Sequence, residues 1–126
     1  MEKKRVLIVD DDEIVRLLIA KVVGKYDAEV LMAGDGNEAR AIIGKGISFD
    51  LILLDLFVPY VTGWDLLDEV RANPVTMNTS VVILTGASVS KAEKEALGSK
   101  VSAFVDKEKF NLVDFGKLVE GFLNVK

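Results

Sequence analysis

With 126 residues, half of them hydrophobic and 29% charged, the chain has enough apolar material for one folded domain with a real core. It contains no cysteine, which excludes a disulfide framework and a thiolate metal site, and no histidine, which excludes the commonest general base and imidazole ligands. A net charge of −4 without any Lys/Arg-rich block argues against a nucleic-acid surface, and no apolar run is long enough to span a bilayer.

The first apolar run, RVLIV at 5–9, reads as a buried strand. Three aspartates, Asp10, Asp11 and Asp12, interrupt it, so the N-terminus is no signal peptide and a cytoplasmic protein is expected. A helical pattern follows over 13–25, with Ile14, Leu17, Leu18 and Val22 on one face. Residues 29–33 (EVLMA) form the second strand candidate, and 36–44 a helix with Ala39, Ile42 and Ile43 inward. The third strand is 50–54, DLILL, and the third helix 64–72 carries Leu66, Leu67 and Val70. Residues 73–79 are long for a connection and have no explanation in the pattern. The fourth strand is 80–84, SVVIL; the helix after it, 90–98, offers only Ala92, Ala96 and Leu97 and is expected to be short or mobile. A weaker fifth strand at 102–105 precedes the clearest amphipathic stripe, Phe115, Leu118, Val119 and Phe122 over 111–124. Five strands alternating with five helices argue for one parallel sheet covered on both faces.

Ligands of open α/β sheets bind at the carboxyl ends of the strands. Those ends carry Asp10–Asp12, then Asp55, then Thr85-Gly86-Ala87, then Asp106-Lys107. One aspartate is explained as a helix N-cap, and Asp12 suits that part. Asp10 and Asp11 are then left over. Two carboxylates about 5 Å apart repel by roughly 3 kcal/mol at an effective dielectric near 20. Such a cost asks for a cation. An all-oxygen set suits Mg²⁺, with Mn²⁺ as the other candidate, rather than zinc. Lys107 adds a point charge and Thr85 a hydroxyl. With a metal they supply the parts of a phosphoryl-transfer site, in which a carboxylate can itself be the nucleophile.

At this point the motifs resemble a known family. VDDD at 9–12, GDGNEA at 34–39, DLILLDLFVPYVTGWDLL at 50–67, VVILTGA at 81–87 and AFVDK at 103–107 are similar, in order and spacing, to response-regulator receiver domains of two-component signalling. Pro59 falls four residues after Asp55 and Gly63 eight after it, as in the family pattern. The resemblance implies a single receiver domain over 1–126, with the flavodoxin-like doubly wound sheet in strand order 2-1-3-4-5. It implies that Asp55 accepts a phosphoryl group from a histidine kinase or histidine phosphotransfer protein. Asp10, Asp11, Asp55 and the backbone carbonyl of Phe57 would hold Mg²⁺. Lys107 and Thr85 would contact the phosphoryl group, as would the backbone at Leu56 and Gly86. Thr85 and Phe104 would be the switch pair, and the helix 4–strand 5–helix 5 face would change its affinity for a downstream protein. The domain would be a signalling switch rather than a turnover enzyme, with neither nucleic acid nor membrane as a direct partner.

Three features depart from the family pattern. Glu108 stands after Lys107 where proline is usual, so the loop to Asn111 is expected to take another path. Val58 replaces a common methionine, and Phe57 is bulky two residues after Asp55. Its ring is expected to shield the phosphoryl group from water and slow its loss. A dehalogenase-type phosphohydrolase would need a second aspartate at Phe57, and a flavodoxin-like nucleotide binder a Gly-rich loop where Asp10–Asp12 stand. The remaining alternative is a pseudo-receiver, an interaction module that keeps the fold without accepting phosphate.

Overall fold

In a computed structural model, residues 3–86 and 89–123 are described. Five strands, β1 (Arg5–Val9), β2 (Glu29–Ala33), β3 (Leu51–Asp55), β4 (Ser80–Thr85) and β5 (Ala103–Asp106), pair in parallel in the order β2-β1-β3-β4-β5. Between and after them run α1 (Glu13–Gly24), α2 (Gly36–Ile43), α3 (Gly63–Ala72), α4 (Lys91–Leu97) and α5 (Leu112–Leu123). The predicted elements match within a residue or two. Ala87 of the fourth motif and residue 124 of the predicted last helix lie outside the described residues.

The three central strands are apolar on both sides because both faces are covered. Alternate residues point to opposite faces. Leu7, Val9, Ile52, Leu54, Val81 and Ile83 pack with Ala39, Ile43, Leu66, Leu67, Val70 and Leu97 of α2, α3 and α4. Val6, Ile8, Leu51, Leu53, Val82 and Leu84 pack with Ile19, Val22 and Val23 of α1 and Phe115, Val119 and Leu123 of α5. The order reverses between β1 and β3, which opens a crevice at their carboxyl ends.

The face expected for α1 is corrected by the structure. Val22 is buried, but Ile14 is 77% exposed, Leu17 55% and Leu18 38%, while Ile19 and Val23 go inward. This helix is apolar around most of its circumference, so periodicity alone does not choose a face. Helix α4 is short, as expected, and buries only Leu97; a capping box between Ser90 and Glu93 supports its start.

The long 73–79 connection has its explanation in Arg71. Its guanidinium donates to the carbonyls of Met77 (3.0 Å), Thr79 (2.7 Å) and Lys100 (2.6 and 3.0 Å). The hydroxyls of Thr76 and Thr79 donate to Val70 and Phe49 carbonyls, so this loop is tied down at the edge opposite the aspartates.

Candidate functional site

Each strand delivers its end group to one cleft because the sheet is parallel and in register. Asp10 continues the ladder one residue past β1, its N–H donating to the Ala33 carbonyl. Asp12 caps α1, accepting from the N–H groups of Ile14 (2.9 Å) and Val15 (3.2 Å). Asp55 ends β3 opposite Leu84, and Thr85 ends β4 opposite Asp106. Asp10, Asp55 and Thr85 are buried, whereas Asp11 is exposed at the mouth.

Asp10, Asp11 and Asp55 each offer a carboxylate oxygen, and the three oxygens lie within 4.8 Å of one another. Asp10 Oδ1 accepts from the Asp12 N–H, and Asp55 Oδ1 from the Phe57 N–H. Lys107 reaches across from the end of β5. Its Nζ donates to Asp55 Oδ2 at 2.8 Å and forms an ion pair with Asp10 Oδ2. The Asp10 contact lies outside hydrogen-bond geometry, which leaves Asp10 Oδ2 buried without a hydrogen bond. Burial pushes the Asp10 carboxyl above the usual aspartate range, against the opposing pull of Lys107. For Lys107, burial works against the ammonium charge, but Asp10 and Asp55 outweigh it and hold its pKa above the ordinary lysine value. Three carboxylate oxygens converging within 4.8 Å, two of the residues buried, form an all-oxygen set that fits a hard divalent cation.

The loops around the cleft are set by close backbone packing. Gly63 donates its N–H to the Leu56 carbonyl, and a Cβ there would stand 2.6 Å from the Asp55 carbonyl oxygen. The glycine eight residues after Asp55 is therefore a packing requirement of the segment that carries it. Gly36 meets Val61 in the same way, so the β3–α3 loop is clamped on α2. Phe57 lies on this loop with its side chain 55% exposed. Leu56 is buried; Gly86 is exposed, close to the Lys107 stem.

Phe104 is half-buried on β5 with the Lys94 ammonium 5.5 Å from its ring centre. It lines a cleft of about 270 Å³ with Thr85, Val89, Lys94, Asp106 and Lys109. After Lys107 the chain makes a 3-10 turn, Lys107–Lys109, in which the Asp106 side chain accepts from the Glu108 N–H. Among the described residues no peptide bond is cis.

Arg16, near the active edge, and Arg71, at the opposite pole, are not among the residues that the sequence pattern singled out. For Arg16 there was a signal. A cation in the first turns of a helix opposes the macrodipole, so its presence in α1 asks for a specific acceptor.

The description "Response regulator receiver domain" matches residues 6–119. The chain belongs to this family. The receiver is 36% identical over 104 residues to response regulator PleD of Caulobacter vibrioides, covering 82% of this chain and 22% of PleD. It thus spans about a fifth of that relative. Among solved structures, chemotaxis protein CheY4 of Vibrio cholerae is similar with TM-score 0.82 and 28% identity, covering 96% of this chain and 99% of that one. The receiver domain of sensor histidine kinase PA1611 from Pseudomonas aeruginosa shares the fold at 18% identity and TM-score 0.83, over 98% of this chain and 99% of that one. Its structure has a magnesium ion coordinated in the active-site cleft. Receivers of this family serve in two-component signalling. Among the described residues no helix is long and apolar enough to cross a membrane.

Proposed function

We propose that the receiver, taken as one domain over 1–126, accepts a phosphoryl group on Asp55 from a phosphohistidine of a histidine kinase or phosphotransfer protein. An Asp55 carboxylate oxygen bonds to phosphorus as the phosphorus–nitrogen bond breaks, and the imidazole leaves with the partner. The observation that carries this reading is the cluster of Asp10, Asp11 and Asp55 within 4.8 Å, with Lys107 paired to two of them. Asp10, Asp11, Asp55 and the Phe57 carbonyl would hold Mg²⁺, which supplies charge neutralisation and orientation when bound. Mn²⁺ has the same preference for oxygen ligands.

Lys107 neutralises charge on the incoming group, and the backbone at Leu56 and Gly86 faces it. Thr85, buried at the end of β4, supplies the switch hydroxyl, and Phe104 beside it the switch ring. The phosphorylated state is then a population shift of the α4–β5–α5 face toward a downstream protein. Burial of α4 through Leu97 alone supports this assignment, since a weakly held helix is cheap to rearrange. The receiver acts as a cytoplasmic switch, not a turnover enzyme. Transfer from a labelled histidine phosphotransfer protein tests the reading. Label is expected on the receiver only with Mg²⁺ and not in Asp55→Asn; absence of label across several donors favours a pseudo-receiver.

A further inference from the structure

Arg16 is the fourth residue of α1, and its Nη1 donates to the Asp10 carbonyl at 2.6 Å. The same guanidinium lies against Gly34 of the β2–α2 connection, where a Cβ would stand 3.1 Å from Nη1 and 3.4 Å from Cζ. Arg16 therefore bridges two loops at the carboxyl edge. Its bond is short and charge-assisted, the class that holds geometry best.

The position of that bond matters. Successive side chains of an extended chain point to opposite faces, yet Asp10 and Asp11 both bring an oxygen to one point near Asp55. The backbone must turn at the peptide between them. A peptide is planar, so fixing its carbonyl oxygen fixes where Asp11 departs. We propose that Arg16 is a positioning residue for the divalent-cation site, setting the angle between the Asp10 and Asp11 carboxylates by holding the peptide that joins them. This rests on the phosphoacceptor reading above. Gly34 belongs to the same device, because any side chain there crowds the guanidinium.

The choice of cation reads out such a role. Mg²⁺ demands near-ideal octahedral geometry, whereas Ca²⁺ accepts irregular and longer contacts. Loosening the Asp10–Asp11 peptide should cost Mg²⁺ more than Ca²⁺; a general loss of folding would weaken both alike. The experiment is calorimetric titration of Mg²⁺ and of Ca²⁺ into the full chain, as wild type, Arg16→Met, Arg16→Lys and Gly34→Ala. Arg16→Met is expected to weaken Mg²⁺ about tenfold, the usual effect of losing an outer-shell partner, and Ca²⁺ by clearly less. Arg16→Lys should recover part of the loss, and Gly34→Ala, which keeps Arg16, should shift the Mg²⁺/Ca²⁺ preference in the same direction. If Arg16→Met does not fold, the other two variants carry the same comparison. Variants that bind Mg²⁺ within twofold of wild type, or lose both cations equally, overturn the proposal while leaving the phosphoacceptor reading intact. A wild-type chain that binds no Mg²⁺ overturns the cation site itself, and with it this role.

Discussion

Replacing Lys107 by methionine keeps the alkyl stem and removes an ammonium paired with both Asp10 and Asp55. The repulsion of the two carboxylates across no more than 4.8 Å, which Lys107 offsets in the wild type, is then uncompensated. At an effective dielectric near 20, that repulsion is about 3.5 kcal/mol. The side chains concerned are 0% and 6% exposed, so solvent screens little of it. For a domain of this size the loss corresponds to about 10–15 °C in melting temperature. Mg²⁺ among the carboxylates returns the missing cation. Urea unfolding of wild type and Lys107→Met, in EDTA and in saturating Mg²⁺, reads both effects. The variant should be about 3 kcal/mol less stable in EDTA, and the gap should narrow in Mg²⁺. Equal stability in EDTA, or the same gap in both conditions, would refute the electrostatic account of the cleft.

Phe57→Asn should shorten the lifetime of the Asp55 phosphate several-fold, measured by loss of label after donor removal, because an exposed ring no longer shields it. Gly63→Ala should destabilise the fold by about 1–3 kcal/mol in denaturant titration, since its Cβ would meet the Leu56 Cα at 2.4 Å. On α1, Ile19→Ala should cost about 2–5 kcal/mol, whereas Ile14→Ser should stay within about 0.5 kcal/mol; similar costs at both would contradict the face assigned to this helix.

Strands were the most legible part of the chain. β1, β3 and β4 are each built on a run of Val, Ile and Leu, and each run gives way to a polar residue, Asp10, Asp55 or Thr85, which marks the edge of the sheet. Helix faces were legible where polar residues fill the other side, as with Leu66, Leu67 and Val70 of α3. They were not on α1, where Ile14, Val15, Leu17, Leu18, Ile19, Val22 and Val23 leave the choice to packing against α5 and the sheet. The aspartates drew notice because like charges at adjacent positions carry a cost. Asp12 was legible as a helix cap, but that Lys107 pairs with Asp55, 52 residues earlier in the chain, and with Asp10 as well came only from the folded arrangement. Arg71 is the same kind of case. Its acceptors are backbone carbonyls, and backbone groups leave no trace in residue type.

The central claim is that Asp55 is a phosphoacceptor served by a divalent cation. The most direct measurement is the intact mass of the protein after incubation with acetyl phosphate and Mg²⁺, beside an EDTA control and Asp55→Asn. A gain of one phosphoryl group that needs Mg²⁺ and is absent in the variant is the predicted result. An unchanged mass together with no rise in melting temperature on adding Mg²⁺, or a gain that persists in Asp55→Asn, would contradict it.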